Sequence, residues 1–118
     1  MGLLSTRAHA VIDYLTGALL ILAPHLFGFA TGGAEQWVPQ ILGAAILAMS
    51  LLTRYELSVA KIIPLGLHLG VDFAGGLLLA VSPWLFGFAD LIWWPHLLIG
   101  LIEIVVAAVT ERRPRSVV

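Results

Sequence analysis

The sequence has no cysteine, few charges and no long polar stretch. Without thiols there are no disulfides, no thiolate chemistry and no iron–sulfur ligation, and the redox compartment is left unread. Charged residues make up only 11% of the chain, and the formal net charge of −1 gives a nucleic-acid backbone nothing to hold. There is no Gly-rich phosphate loop, no Ser, His and Asp set with spare partners, and no connector long enough to fold alone. These absences argue against an enzyme, and no catalytic residue is nominated.

What the chain has in excess is apolar surface. The hydrophobic fraction is 60% and the mean hydropathy +1.02, more than 118 residues can hide from water. The expectation is one integral membrane domain, residues 1–118, with the lipid bilayer as its partner. Four apolar runs have spanning length, at about Ala8–Phe27, Trp37–Leu52, Leu65–Leu85 and Ile92–Val109. The first carries a His and an Asp and lacks a small-residue cleavage site, so it reads as a retained span rather than a signal peptide.

The chain repeats itself. His9, Asp13 and Gly17, followed by Pro24 and Phe27-Gly28-Phe29, return as His68, Asp72 and Gly76, followed by Pro83 and Phe86-Gly87-Phe88. The offset is about 59 residues, a period typical of a duplicated supersecondary unit. Dropping two residues from the second connector also aligns Trp37 with Trp94, Gly43 with Gly100 and Thr53 with Thr110. The units run from about 7 to 56 and from about 64 to 113. Each holds two helices, so each returns the chain to its starting side. The predicted fold is an all-α membrane protein of four transmembrane helices. Its two tandem, parallel two-helix repeats are related by a pseudo-two-fold axis along the membrane normal.

Arg7, Arg54, Lys61, Arg112, Arg113 and Arg115 fall at the N-terminus, the central loop and the C-terminus, whereas the other two connectors carry only Glu35 and Asp90. The positive-inside rule then places both termini and the central loop in the cytoplasm. On the opposite side Phe27, Phe29, Trp37, Trp84, Phe86, Phe88, Trp93 and Trp94 read as an interfacial girdle, with His25 among the headgroups.

Ser82-Pro83-Trp84, late in the first helix of the second unit, carries a resemblance. With the doubled His/Asp/Gly frame, the chain resembles the SPW repeat family of small bacterial membrane proteins over nearly its whole length. The first unit departs from the motif and reads Ala23-Pro24-His25, so a role needing the Ser hydroxyl or the indole is not two-fold here. The resemblance implies a bacterial inner-membrane protein of unassigned activity and supplies no catalytic residues.

At 3.6 residues per turn, His9, Asp13, Gly17, Leu20 and Pro24 share one stripe, as do His68, Asp72, Gly76, Leu79 and Pro83. These stripes are expected to face the bundle interior. Gly17, Gly43, Gly76 and Gly100 are expected to let backbones approach closely. Pro24 and Pro83 are expected to kink or end their helices. The aspartates sit about 9 Å inside the cytoplasmic boundary of a ~30 Å core. Glu103 lies nearer the midplane, on a stripe with His96, Gly100 and Ala107. An ionised carboxylate there costs at least ~2.5 kcal/mol unless paired.

His9, Asp13, His68, Asp72 and Glu103 are thus the candidate polar cluster. Its plainest reading is structural, with each His and Asp bonded along its helix and across to the other. A proton or ion relay through Asp13, Asp72 and Glu103 is the alternative. A two-His, two-Asp metal site and a bis-His haem through His9 and His68 are further readings, and no metal or cofactor is assigned. Ala44, Ala48 and Ala107 are expected on the lipid face, where they would serve homo-oligomer contacts or a larger complex.

Overall fold

The computed structural model describes residues 2–53 and 56–111. Arg54, Arg112, Arg113 and Arg115, which bear on the orientation, lie outside the described residues, as do Tyr55 and the end of the second unit at 113. The described chain is all-helical: α1 Thr6–Leu26, α2 Ala34–Leu52, α3 Leu65–Leu85 and α4 Trp94–Val109. Helices α1 and α3 each have 21 residues and are long and apolar enough to cross a membrane. At 1.5 Å per residue each is about 31 Å long, close to the hydrocarbon thickness. α2 has 19 residues and α4 has 16. The bundle measures 45 × 25 × 18 Å.

Helix α1 packs mainly on α2, and α3 mainly on α4, with lighter contact between α2 and α3 and very little between α1 and α4. The two intimate contacts are set by paired glycines. A Cβ on Gly43 would fall 2.7 Å from the Gly17 carbonyl oxygen, and one on Gly100 would fall 2.5 Å from that of Gly76. No side chain fits in either place, so the helices meet backbone to backbone, as small residues allow in an apolar bundle.

The Phe-Gly-Phe segments close α1 and α3 in the same way. Gly28 and Gly87 both have φ of 76°, in the left-handed region. The Phe29 N–H donates to the Pro24 carbonyl at 2.8 Å, and the Phe88 N–H to that of Pro83 at 2.8 Å. This is the six-to-one bond of a glycine-terminated helix, in which the apolar residue after the glycine tucks back onto the last turn. Both prolines lie within the last turns of their helices, and each helix ends two residues later. Phe29 and Phe88 are consequently buried, 3% and 7% exposed, and do not belong to the aromatic girdle. Their rings lie 5.1 and 4.8 Å from that of His96. The other six predicted girdle aromatics, and His25, are exposed.

At the other end, short extended segments pair. Leu4 bridges to Thr110, and Ile63 to Thr53. The segment before α1 therefore lies along the end of α4, much as the segment before α3 lies along the end of α2. Both predicted inner stripes are buried from His9 to Pro24 and from His68 to Pro83, as are His96, Gly100, Glu103 and Ala107 on α4. Ala107 is 2% exposed, which corrects its assignment to the lipid face: it lies one turn beyond Glu103, on the stripe that meets α3. Ala44 and Ala48 are exposed.

Gly100→Ala places its methyl 2.5 Å from the Ala80 backbone nitrogen, which cannot rotate away. It is expected to lose about 1–3 kcal/mol of stability, the usual penalty of overpacking. Gly70, whose Cβ would meet nothing within 4 Å, should accept alanine within about 0.5 kcal/mol. Thermal unfolding of both variants in detergent checks the pair.

Candidate functional site

Two helix starts place the site. Ser5 caps α1 through its Oγ, which accepts from the Ala8 N–H at 3.1 Å. Pro64, in extended conformation, precedes α3. His9 and His68 stand at the same position in their first turns, each N–H donating to the carbonyl four residues back, Ser5 and Pro64. One turn on, at the spacing that stacks side chains on one face, come Asp13 and Asp72.

The four side chains form a closed ring. His9 Nε2 lies 3.0 Å from Asp13 Oδ2 and 2.8 Å from Asp72 Oδ2. His68 Nε2 lies 2.6 Å from Asp13 Oδ2 and 3.0 Å from Asp72 Oδ2. Each imidazole thus reaches its own helix's carboxylate and that of the other helix. All four side chains are at most 1% exposed. The two imidazoles meet edge to face with centroids 5.6 Å apart.

The outer nitrogens are fixed by two threonines. His9 Nδ1 lies 2.7 Å from Thr110 Oγ1, and His68 Nδ1 lies 2.5 Å from Thr53 Oγ1. Each hydroxyl already donates one turn back along its own helix, Thr110 to the Val106 carbonyl at 2.5 Å and Thr53 to the Met49 carbonyl at 2.6 Å. With its proton committed there, each threonine oxygen accepts from the imidazole. Nδ1 therefore carries a hydrogen in both histidines, and Nε2 of both faces the ring.

The proton content of the ring follows. If both carboxyl groups were ionised and both Nε2 atoms bare, lone pairs would face lone pairs at all four contacts, with two uncompensated negative charges in a buried, largely apolar interior. Two further protons remove both problems. Whether they sit on the nitrogens or on the oxygens, the four groups together are neutral, and two hydrogens serve four contacts. Neutrality is what permits such a cluster in an apolar bundle.

Glu103 does not join the ring. It is 1% exposed, and among the described residues neither of its carboxyl oxygens has a hydrogen-bond partner, nor has Oδ1 of Asp13 or of Asp72. Glu103 and Asp72 instead line a cavity between α2 and α3, otherwise walled by apolar groups such as Leu42, Ile46, Met49 and Val71. Counted as space open to water centres, it has about 40 Å³, and about 10–15 Å³ suffices for one water.

The remaining sequence candidates are structural. Gly17, Gly43, Gly76 and Gly100 are the helix contacts described above. Ser82 is fully buried, with its hydroxyl donating to the Leu79 carbonyl at 2.7 Å. Pro83 caps the helix end, and Trp84 is 55% exposed beside Trp93. His96 lies away from the ring, and its Nε2–H donates to the Glu35 carbonyl at 2.9 Å. Sequence reasoning aligned Thr53 with Thr110 and missed what they do. Their matched place just beyond the two second helices was the available signal.

A small all-helical bundle with two membrane-length helices, joined through a buried acid–imidazole ring, is the class these features define. The chain belongs to the SPW repeat domain family, whose model matches residues 7–110. No curated protein and no solved structure matches it.

Thr53→Val and Thr110→Val keep shape but leave an imidazole N–H buried without an acceptor. Each is expected to cost about 1–3 kcal/mol, with the two losses similar in size. Thermal unfolding in detergent measures them, and a silent Thr110→Val would contradict the assignment of the Nδ1 proton.

Proposed function

We propose that the protein is a structural or accessory component of the bacterial inner membrane, without chemistry of its own. Its ring holds two helical hairpins together inside the bilayer. The carrying observation is that both histidines are engaged at each ring nitrogen: each is held by both aspartates through Nε2 and by a threonine through Nδ1. A central tie suits a chain whose α1 and α4 scarcely touch. Exposed Ala44 and Ala48 offer a small-residue surface for a homo-oligomer or a larger complex.

In this reading α1 to α4 all span, in two parallel units about a pseudo-two-fold axis, with both termini and the central loop cytoplasmic. The pairwise matches support it: His9 with His68, Thr110 with Thr53, the Gly17–Gly43 contact with Gly76–Gly100, and the Leu4–Thr110 bridge with Ile63–Thr53. The absence of cysteine makes the topology easy to test. A single cysteine at Gly32 or Asp90 should react with an impermeant maleimide from the periplasmic side, and one at Val59 only after the membrane is opened. Mild extraction should also bring the chain out as an oligomer or with a stoichiometric partner. A partnerless monomer contradicts the accessory role.

One observation favours a second reading, a small proton- or ion-linked carrier. Glu103 is buried beside a cavity that also reaches Asp72, which is how an acid on a hydrated path is placed. If Asp13, Asp72 and Glu103 form such a path, Asp13→Asn combined with Asp72→Asn abolishes proton flux in proteoliposomes. Unchanged flux and unchanged assembly in that variant remove this reading.

A further inference from the structure

We propose that the ring of His9, Asp13, His68 and Asp72 is an exchange site, able to hold one divalent first-row metal ion of the zinc type in place of its two inner protons. The inference rests on the ring and does not depend on the accessory role.

The first argument is chemical. Two imidazole nitrogens and two carboxylate oxygens converge from two helices, and the four atoms all lie within 4.8 Å of one another. Two nitrogens and two oxygens are a donor set that suits zinc and its first-row neighbours. The arrangement needs two positive charges at its centre, and two protons or one divalent ion supply them equally. Exchanging one for the other leaves the buried site neutral, so it adds no net charge to the apolar interior.

The second argument is the support around the donors. Metal-bound histidines characteristically donate their other N–H to an oriented acceptor, which fixes the tautomer and aims the free lone pair. Thr110 and Thr53 do this here, and each threonine is itself fixed by a backbone bond. Both imidazoles are thereby aimed at the ring centre from opposite helices.

The third argument is room to adjust and a cavity beside the ring. The four contacts of 2.6–3.0 Å are hydrogen-bond lengths. A tetrahedral ion with ligands at about 2.0–2.1 Å sets its ligands about 3.3 Å apart, so the four contacts must lengthen by a few tenths of an ångström while the widest ligand pair, which lies within 4.8 Å, draws in. Oδ1 of both aspartates has no hydrogen-bond partner among the described residues, so only the ring contacts of Oδ2 resist a turn of either carboxylate. The cavity between α2 and α3 reaches the ring at Asp72, and the buried, unpartnered carboxyl group of Glu103 stands in its wall. That is a place for an incoming ion to be held before the ring opens.

The test uses the full chain in lipid nanodiscs, stripped with a chelator and titrated with Zn²⁺ and separately with Co²⁺. The expected result is one ion per chain, the strong visible absorption of four-coordinate Co²⁺, and release of close to two protons per Zn²⁺, counted by calorimetry in buffers of different ionisation enthalpy. Asp72→Asn should abolish binding. Because that variant can also disturb folding, Thr110→Val serves beside it: it leaves all four donors and should weaken binding about 10–100-fold. Glu103→Gln should leave affinity within a few-fold and slow loading. The proposal is overturned if the wild type takes up no stoichiometric ion, or if Zn²⁺ binds equally well to the Asp72→Asn and Thr110→Val variants, which would put the ion at a surface group such as His25. Either negative leaves the topology and partner experiments, and the accessory role they test, untouched.

Discussion

Two carboxylates and two imidazoles joined by four nitrogen–oxygen contacts of 3.0 Å or less are the constraint on which the rest of this molecule depends. In water such a cluster would be solvated piecemeal. In a bundle with this much apolar surface it has to be complete and neutral, because an unpaired charge has no solvent to turn to. Completion needs both helices, since each histidine takes one aspartate from α1 and one from α3. It also needs both remaining helices, because the threonines that orient the imidazoles follow α2 and α4. One cluster therefore draws on all four elements.

The rest of the architecture keeps those elements at the right separation. The Gly17–Gly43 and Gly76–Gly100 contacts draw each hairpin together at the backbone. The bridges from Leu4 to Thr110 and from Ile63 to Thr53 hold the threonine-bearing segments beside the starts of α1 and α3. At the far end the glycine-terminated turns fold Phe29 and Phe88 over His96, which is tied to the Glu35 carbonyl. The two halves differ where the ring does not constrain them. Glu103 on α4 faces the cavity from the position that Ile46 holds on α2, and Ser82-Pro83-Trp84 answers to Ala23-Pro24-His25. One half thus keeps an extra buried acid that the tie itself does not use.

Much of this was legible in the sequence because it is periodic. The i, i+4 spacing of His and Asp, repeated about 59 residues later, placed four polar side chains at one level, and the stripes containing Gly17 and Gly76 pointed inward. The partners of the histidines were not legible. Thr110 lies 101 residues from His9, and Thr53 lies 15 from His68, so no local period links them. Phe29 and Phe88 were misread for a related reason. Composition puts aromatic residues at an interface, whereas the left-handed glycine before each one turns it back under the helix end. Ala107 was misplaced because small residues suit both a lipid face and a close helix contact. Only its register with Glu103 separates the two.

The most direct test of the ring is to locate its nitrogens and carboxyl carbons by magic-angle-spinning NMR in bilayers, with ¹⁵N-labelled histidine and ¹³C-labelled aspartate. The account predicts that His9 Nε2 couples to Asp72 as strongly as to Asp13, that His68 Nε2 couples likewise to both, and that Nδ1 carries a proton in both residues. Couplings confined to His9 with Asp13 and His68 with Asp72 would mean two separate helix-face pairs and no ring, and would contradict it.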